Sequence, residues 1–255
     1  MTSHHEFLSK LEEESRKKQE AFFGHIADRL KRPRQMTPPP RVIKGAPTYW
    51  EAYERSEEER MDQFIKHWQL AGGHAHTFTS MSEAASFILE LAEKTQAERL
   101  IMQEQAELLP IKQALEAHQS GGTSVNELQV TVWNTEHLDR EGKAELVAQA
   151  AQADIGITAV HAAVSYTGSI VLTSSATTGR TVSLLPTMLI AIIPVSKLKT
   201  RLGEVLRPMD AWSRAERPAG IHFVSGPSRS ADIENDLTIG VHGPGIVHAL
   251  LIEEE

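Results

Sequence analysis

The chain has 255 residues, 40% apolar and 24% charged, an ordinary globular composition that suffices for one large domain plus an extension. Its 26 basic and 34 acidic side chains leave a net charge of −8, which argues against a general nucleic-acid or anionic-membrane surface, because both need a basic field. There is no cysteine, which excludes disulfides, thiol nucleophiles and cysteine-ligated iron–sulfur clusters within this chain.

The opening MTSHHEFLSKLEEES places charges where a signal peptide needs an apolar stretch. The spacing of Phe7, Leu11, Phe22 and Ile26 predicts a helix over Glu6–Leu30, halted at Lys31-Arg32-Pro33-Arg34. Pro38-Pro39-Pro40 cannot be helix interior and marks an extended linker, taken as residues 31–47. A second helix is predicted from about Thr48 to Leu70. Its stripe of Trp50, Tyr53, Met61, Phe64, Ile65 and Trp68 would pack on the chain's own domain or on a partner. Residues 1–70 thus form a helical extension, and 71–255 the main domain.

From Gly72 the pattern alternates short strands with helices. Strands are predicted at His74–Phe78, Arg99–Gln103, Leu128–Trp133, Ile155–Ala159, Ser169–Thr173, Val182–Leu185, Met188–Ile193, Ile221–Ser225 and Ile246–Ile252. Helices are predicted after Ser82 as cap, over Glu107–His118, up to Gln152, and over Ser196–Leu206 with Ser196 as cap. Such alternation implies an α/β sandwich with a largely parallel sheet. The longest apolar run, Leu184–Val195, spans twelve residues and contains Pro186 and Pro194, whereas a membrane helix needs about twenty. A soluble cytoplasmic protein with no membrane span is the expectation.

The candidate chemistry sits in three turns. Tyr166-Thr167-Gly168-Ser169 precedes a strand and offers two hydroxyls with exposed amides; the alternative is a tight turn bonded to itself. Gly226-Pro227-Ser228-Arg229-Ser230 reads as the lead into a short helix. Its first amides could hold a carboxylate or phosphate, with Arg229 as counter-charge. Asp232 and Glu234, in that helix's first turn, are candidates for acid/base work or for capping alone. His242, between Gly240 and Gly243-Pro244, is the best placed residue for proton transfer. The pair His74 and His76 points both rings to one face and could begin a metal site, yet a third ligand, such as His161 or His242, is not specified by the spacing; no metal is assigned. Lys197, Lys199, Arg201 and Arg180 remain available for an anion. No P-loop, strand-linked G-x-G-x-x-G or G-x-S-x-G elbow occurs.

Three segments carry a resemblance: Ala153–Ser175, Gly179–Leu198 and Val224–Ile252, in order and closely spaced. Together with GGHAHTF from Gly72, they resemble the lactate utilization protein C family of the wider LUD group. The resemblance implies a NagB/RpiA/CoA-transferase-like three-layer sandwich. It implies a role in oxidising L-lactate to pyruvate beside the iron–sulfur lactate utilization proteins A and B, which would carry the clusters. This chain would be a subunit without its own cofactor, binding a small carboxylate, with no nucleic acid involved. Two other readings stay open: an independent enzyme acting on a phosphorylated or CoA-linked small molecule, and a metabolite sensor that controls a partner.

Overall fold

The computed structural model describes residues 2–34, 37, 53–120, 128–231 and 236–253. Trp50, most of the proline-rich linker, Asp232 and Glu234 lie outside these described residues. The chain divides into two compact units, Met1–Ala52 and Tyr53–Glu255.

In the first unit, helix α1 runs over Thr2–Arg29. Lys31 turns left-handed (φ 50°) and closes it: Lys31 N–H donates to Asp28 at 3.1 Å and Arg32 N–H to Ala27 at 3.1 Å, which satisfies last-turn carbonyls. The Arg34 guanidinium lies 5.0 Å above the Phe23 ring.

The second unit begins before the helix assigned to the extension. Helix α2 covers Glu57–Leu70, not residues from about 48, because Ser56 forms a capping box. The Ser56 hydroxyl accepts from Glu59 N–H at 3.2 Å, and the Glu59 carboxylate accepts from Ser56 N–H at 2.9 Å. Its Phe64 and Trp68 rings stack at 5.6 Å and are fully buried within this unit, so α2 belongs to the α/β body.

The main sheet is built from β1 (His74–Phe78), β2 (Arg99–Gln103), β3 (Gln129–Trp133), β4 (Ile155–Ala159), β7 (Met188–Pro194) and β12 (Ile246–Ile252). Its six strands are all parallel, in the order β1-β12-β7-β4-β2-β3. A smaller sheet has the order β8-β5-β6-β9, from β5 (Ala162–Val164), β6 (Ser169–Ser174), β8 (Leu198–Lys199) and β9 (Gly220–Val224). Parallel strands covered on both faces read as continuous apolar runs, and β7 is buried at every position. On one face, Ile190, Ile192, Leu250 and Ile252 pack against helices α3 (Met81–Thr95) and α4 (Leu109–Ser120). On the other, Leu189, Ala191, Ile193, Val247 and Leu251 meet Phe64, Trp68, Ile170 and Leu172. Helix α5 (Arg140–Gln152) lies beyond β2 and β3, contributing Leu146 and Ala150 beside Ile101 and Trp133.

Four local expectations are corrected. The cap of α3 is Ser80, whose hydroxyl accepts from Glu83 N–H at 3.3 Å, not Ser82. Val182–Leu185 is not a strand; Thr181–Leu184 form one helical turn, α6, seated on β4 at Gly156. A side chain at Gly156 would lie 2.0 Å from the Val182 carbonyl, so only glycine admits this approach. Ser196–Leu206 is not one helix. A 3₁₀ turn at Val195–Lys197 leads into β8, where Leu198 pairs with Ala163 and is fully buried. Helix α7 (Leu202–Asp210) starts only where the Glu204 carboxylate accepts Arg201 N–H at 2.9 Å. The fourth correction, at Ser228–Ser230, falls within the candidate site.

Ile190 sits at the centre of β7 with no solvent exposure. Ile190→Ala should lower the unfolding free energy by about 2–5 kcal/mol, measured by urea denaturation.

Candidate functional site

Three of the turns singled out in the sequence meet at the amino ends of β1, β7 and β12. Gly168 adopts φ +56° in the turn before β6, and a Cβ there would lie 2.6 Å from the His67 Cβ of α2. The Ser169 and Ser225 hydroxyls share a 2.6 Å hydrogen bond, and Ser169 Oγ also donates to the Thr167 carbonyl at 3.4 Å. Gly226, at φ +101°, lets its loop approach Ala71, where a Cβ would come 2.9 Å from the carbonyl oxygen. Arg229 Nη2 donates to that same carbonyl at 2.5 Å. Ala71 is the C-cap of α2, so a cation here meets both an orphan carbonyl and the negative end of the helix dipole.

The first turn of the helix expected after Ser228–Ser230, at Asp232 and Glu234, lies outside the described residues. Arg229–Ala231 form β10, paired antiparallel with β11 (Leu237–Ile239). Arg229 and Ser230, expected in the loop ahead of that helix, are strand residues instead. Ser228 locks the two sides of the loop together. Its N–H donates to Pro244 at 2.9 Å, its carbonyl accepts from Gly240 N–H at 3.0 Å, and its hydroxyl accepts from His242 N–H at 3.3 Å. A Cβ on Gly243 would sit 3.4 Å from the Ser228 Cβ. Gly245 N–H then donates to Thr187, just ahead of β7, at 3.0 Å. The structure thus brings the Thr167-Gly168-Ser169 turn, Gly226 and Arg229 to the end of α2, and ties His242 and Gly243 to Ser228, the residue beside Arg229. Arg229 and His242 are exposed there.

A second polar group lies at the opposite edge. The connection leaving β2 passes to β3 on one side, and that leaving β4 passes to β7 on the other, so neighbours β2 and β4 form a topological switch point. Open parallel sheets bind ligands at the carboxyl ends of such strands. Gln105 is fixed there by two bonds to Ala159: its Nε2 donates to the carbonyl at 3.1 Å and its Oε1 accepts the amide at 2.9 Å. Lys197 Nζ bridges Glu107 at 2.7 Å and donates to the Val160 carbonyl at 3.0 Å. The Lys197 hydrogen bond holds the Glu107 carboxyl below its ordinary pKa. Burial, reinforced by the Lys197 charge, lowers the His161 imidazole pKa and favours its neutral form. Beneath them, buried Gln103 accepts from the Thr158 hydroxyl and donates to the Gly179 carbonyl at 3.1 Å. An ammonium, a carboxylate and a neutral imidazole at strand ends can bind an anion and exchange a proton. Lys197 and His161 are visible in the sequence singly; Gln103, Gln105 and Glu107 gave no signal, because only the strand order brings them together.

The partner of His74 and His76 is His248, not His161 or His242. In the β1–β12 register His74 faces His248, their rings 4.7 Å apart, and His76 Nε2 lies 3.2 Å from His248 Nδ1. Among the described residues no group of three or more His, Cys, Asp or Glu side chains is placed to hold a metal ion. His248 is only 7% exposed; burial first, then the charges of His74 and His76, push its pKa down to about 4. His76 is lowered for the same first reason.

The parallel sheet between helices on one face and a small sheet with further helices on the other defines a three-layer α/β sandwich. The family model of the LUD domain matches residues 61–252. Lactate utilization protein C of Shouchella clausii is 31% identical over 235 residues, covering 89% of this chain and 94% of that protein. Its counterpart in an Exiguobacterium species is 31% identical over 92% of this chain and 96% of its own length. The match to lactate utilization protein C of Halalkalibacterium halodurans reaches 46% identity, but spans 49% of this chain and 54% of that protein. Among solved structures, a DUF162 family protein from Deinococcus radiodurans shares the fold, with a TM-score of 0.53 and 21% identity over 78% of this chain and 99% of that one. The chain belongs to the LUD domain family, in the lactate utilization protein C group.

Gly168→Ala should cost at least the ~1–2 kcal/mol of a left-handed alanine, with more from the His67 contact, read as a lower urea midpoint. The histidines add a pH dependence. Because the folded pKa of His248 lies below its ordinary 6.5, the unfolded chain binds more protons between these values. Stability should therefore fall as pH drops from 6.5 towards 4, and His248→Leu should flatten that decline in urea midpoints measured across the window.

Proposed function

We propose that this chain takes part in L-lactate utilization, as a component without a redox centre that works with two iron–sulfur partners, lactate utilization proteins A and B. The reaction served is oxidation of L-lactate to pyruvate, which releases two electrons and two protons per molecule; the partners' clusters would receive the electrons. The observation that carries this reading is the likeness to lactate utilization protein C along nearly the whole chain.

The amino-edge loops supply the proposed carboxylate site. Arg229 offers the guanidinium, Thr167, Ser169, Ser228 and Ser230 offer hydroxyls, and Gly168, Gly226 and Gly243 let backbone approach a ligand. His242, on an exposed loop, is the proposed proton carrier, with Asp232 and Glu234 as further acid/base candidates. A second reading is favoured by the switch-point group of Gln105, Glu107, His161 and Lys197. There the chain would act alone on a phosphorylated or CoA-linked small molecule, and turnover by the isolated chain would support it.

The test is L-lactate-dependent reduction of an electron acceptor by the two iron–sulfur partners, with and without this chain. Activity should depend on the chain. Equal rates in its absence overturn the subunit reading. Arg229→Lys keeps the charge but loses the planar fork, so lactate-dependent activity should fall roughly tenfold or more. Because Arg229 also holds Ala71, its thermal unfolding is measured in parallel, and lost activity at unchanged stability locates the defect in binding.

A further inference from the structure

Helix α1 keeps its large apolar side chains in solvent. Among the described residues, Phe7 is 59% and Phe22 63% exposed, and Leu8, Leu11, Phe23, Ile26 and Leu30 are exposed as well. They are not scattered. At 100° per residue, Phe7, Leu8, Leu11, Phe22, Ile26 and Leu30 fall within one stripe, continued through its middle by Ser15 and Gln19. A solvated single helix has no need to align apolar residues at both ends on one face. A stripe of this kind calls for a cover.

The charges identify the cover. Between the two apolar ends stand Glu12-Glu13-Glu14 and Arg16-Lys17-Lys18, arranged about Ser15. When a second copy runs antiparallel and Ser15 stands opposite Ser15, Glu12, Glu13 and Glu14 come level with Lys18, Lys17 and Arg16 of the other copy, and Lys10 comes level with Glu20. The same register sets Phe7 and Leu8 beside Phe23 and Phe22, next to the groove formed by Phe23, Ile26 and Leu30. The helical wheel places Glu12 and Arg16 along one edge of the stripe and Glu14 and Lys18 along the other, Lys18 just inside it between Phe7 and Leu11, so each edge carries one acid and one base within reach of the opposite helix, while Glu13 and Lys17 face away from it. The stripe's own central positions, Ser15 and Gln19, are uncharged, and the charges stand at its edges. A parallel, in-register pair would instead oppose three carboxylates to three carboxylates and three cations to three cations. Within one copy the exposed Glu13–Lys17 pair, at 2.7 Å, supports the helix itself. That spacing accounts for the alternation of charge, but not for apolar clusters at both ends.

We infer that α1 is a self-association element in which two copies of this chain pair antiparallel about Ser15. The occupant of the stripe is the same helix of a second molecule.

The test is sedimentation velocity on the full chain over a range of micromolar concentrations. The wild type should dimerise. Reversing Glu12, Glu13 and Glu14 to Lys should weaken the dimer at least roughly tenfold, because every level pair becomes like-charged. Exchanging both triplets, so that 12–14 become basic and 16–18 acidic, should restore it. Orientation is read by cross-linking, which the cysteine-free sequence allows. Leu8→Cys and Phe22→Cys proteins should form disulfide-linked dimers when mixed and oxidised, and few when oxidised separately. A monomer throughout the range, a dimer indifferent to charge reversal, or efficient linkage of Leu8→Cys to itself overturns the inference. Circular dichroism of each variant verifies that α1 remains helical.

Discussion

The placement of β12 between β1 and β7 is the constraint on which the α/β body depends. This last strand pairs along its full length with β7 and along five residues with β1, both in parallel. Its side chains are spent on both faces: Val247 and Leu251 on the small-sheet side, Leu250 and Ile252 on the helical side. A strand that late in the chain can enter the sheet only if the loop before it is held in place. The Ser225–Gly245 segment serves that need through bonds of Ser228 to Pro244, Gly240 and His242, and of Gly245 to Thr187. Ser228, Gly240 and Gly245 therefore carry a structural load before any ligand is considered.

That load explains why glycines and small hydroxyls dominate the amino-edge cluster. Gly168 and Gly226 let two loops touch the last turn of α2, and Arg229 donates to the carbonyl that ends it. The end of α2 thus meets both the small sheet, through the turn at Gly168, and the β10–β11 pair, through Arg229. An exposed guanidinium at such a junction can serve a helix end and a carboxylate together, since it has five donors. The switch-point edge is built differently: its polar side chains are committed to backbone at strand ends, and its charge is balanced within the Lys197–Glu107 pair. A ligand entering there must compete with that pair, whereas one at Arg229 adds to a bond already made.

The sequence was most legible where burial is two-sided. Strands β4, β7 and β12 stand out because every position but the first of β12 faces a covering layer, and in a mixed α/β pattern a nearly continuous apolar run, interrupted here only by Thr158 and His248 besides Gly156, marks a strand covered on both faces. The same logic misled at Val182–Leu185, where a four-residue segment, apolar but for Ser183, belongs to a helical turn and its cap. So short a run has no measurable period, and the deciding feature is the absent side chain of Gly156, far away in the chain. Ser228–Ser230 failed for a related reason. The small and acidic residues after Gly-Pro fit a helix start, but the strand that pairs with them, Leu237–Ile239, lies further along the chain. Gln103, Gln105 and Glu107 were invisible because a switch point is a property of strand order, which composition and periodicity do not encode. The start of α2 was missed by several residues although its capping box, Ser56 with Glu59, was present to be read.

The buried imidazoles tie the chemistry of the environment to this geometry. His248 follows the signature loop by three residues and lies on the seam between β12 and β1, neutral because burial disfavours its charge. Protonating it would place a buried cation beside the His74 and His76 rings, on the seam between two strands whose amino ends support the loops. The loop bearing His242 leads into β12, so its alignment is best kept where His248 is uncharged. The carboxylate site proposed around Arg229 would gain from this arrangement. The ligand stays ionised at any pH above its own low pKa, and the scaffold that presents the guanidinium is firmest in the neutral range, so the two requirements overlap without a separate device to enforce them.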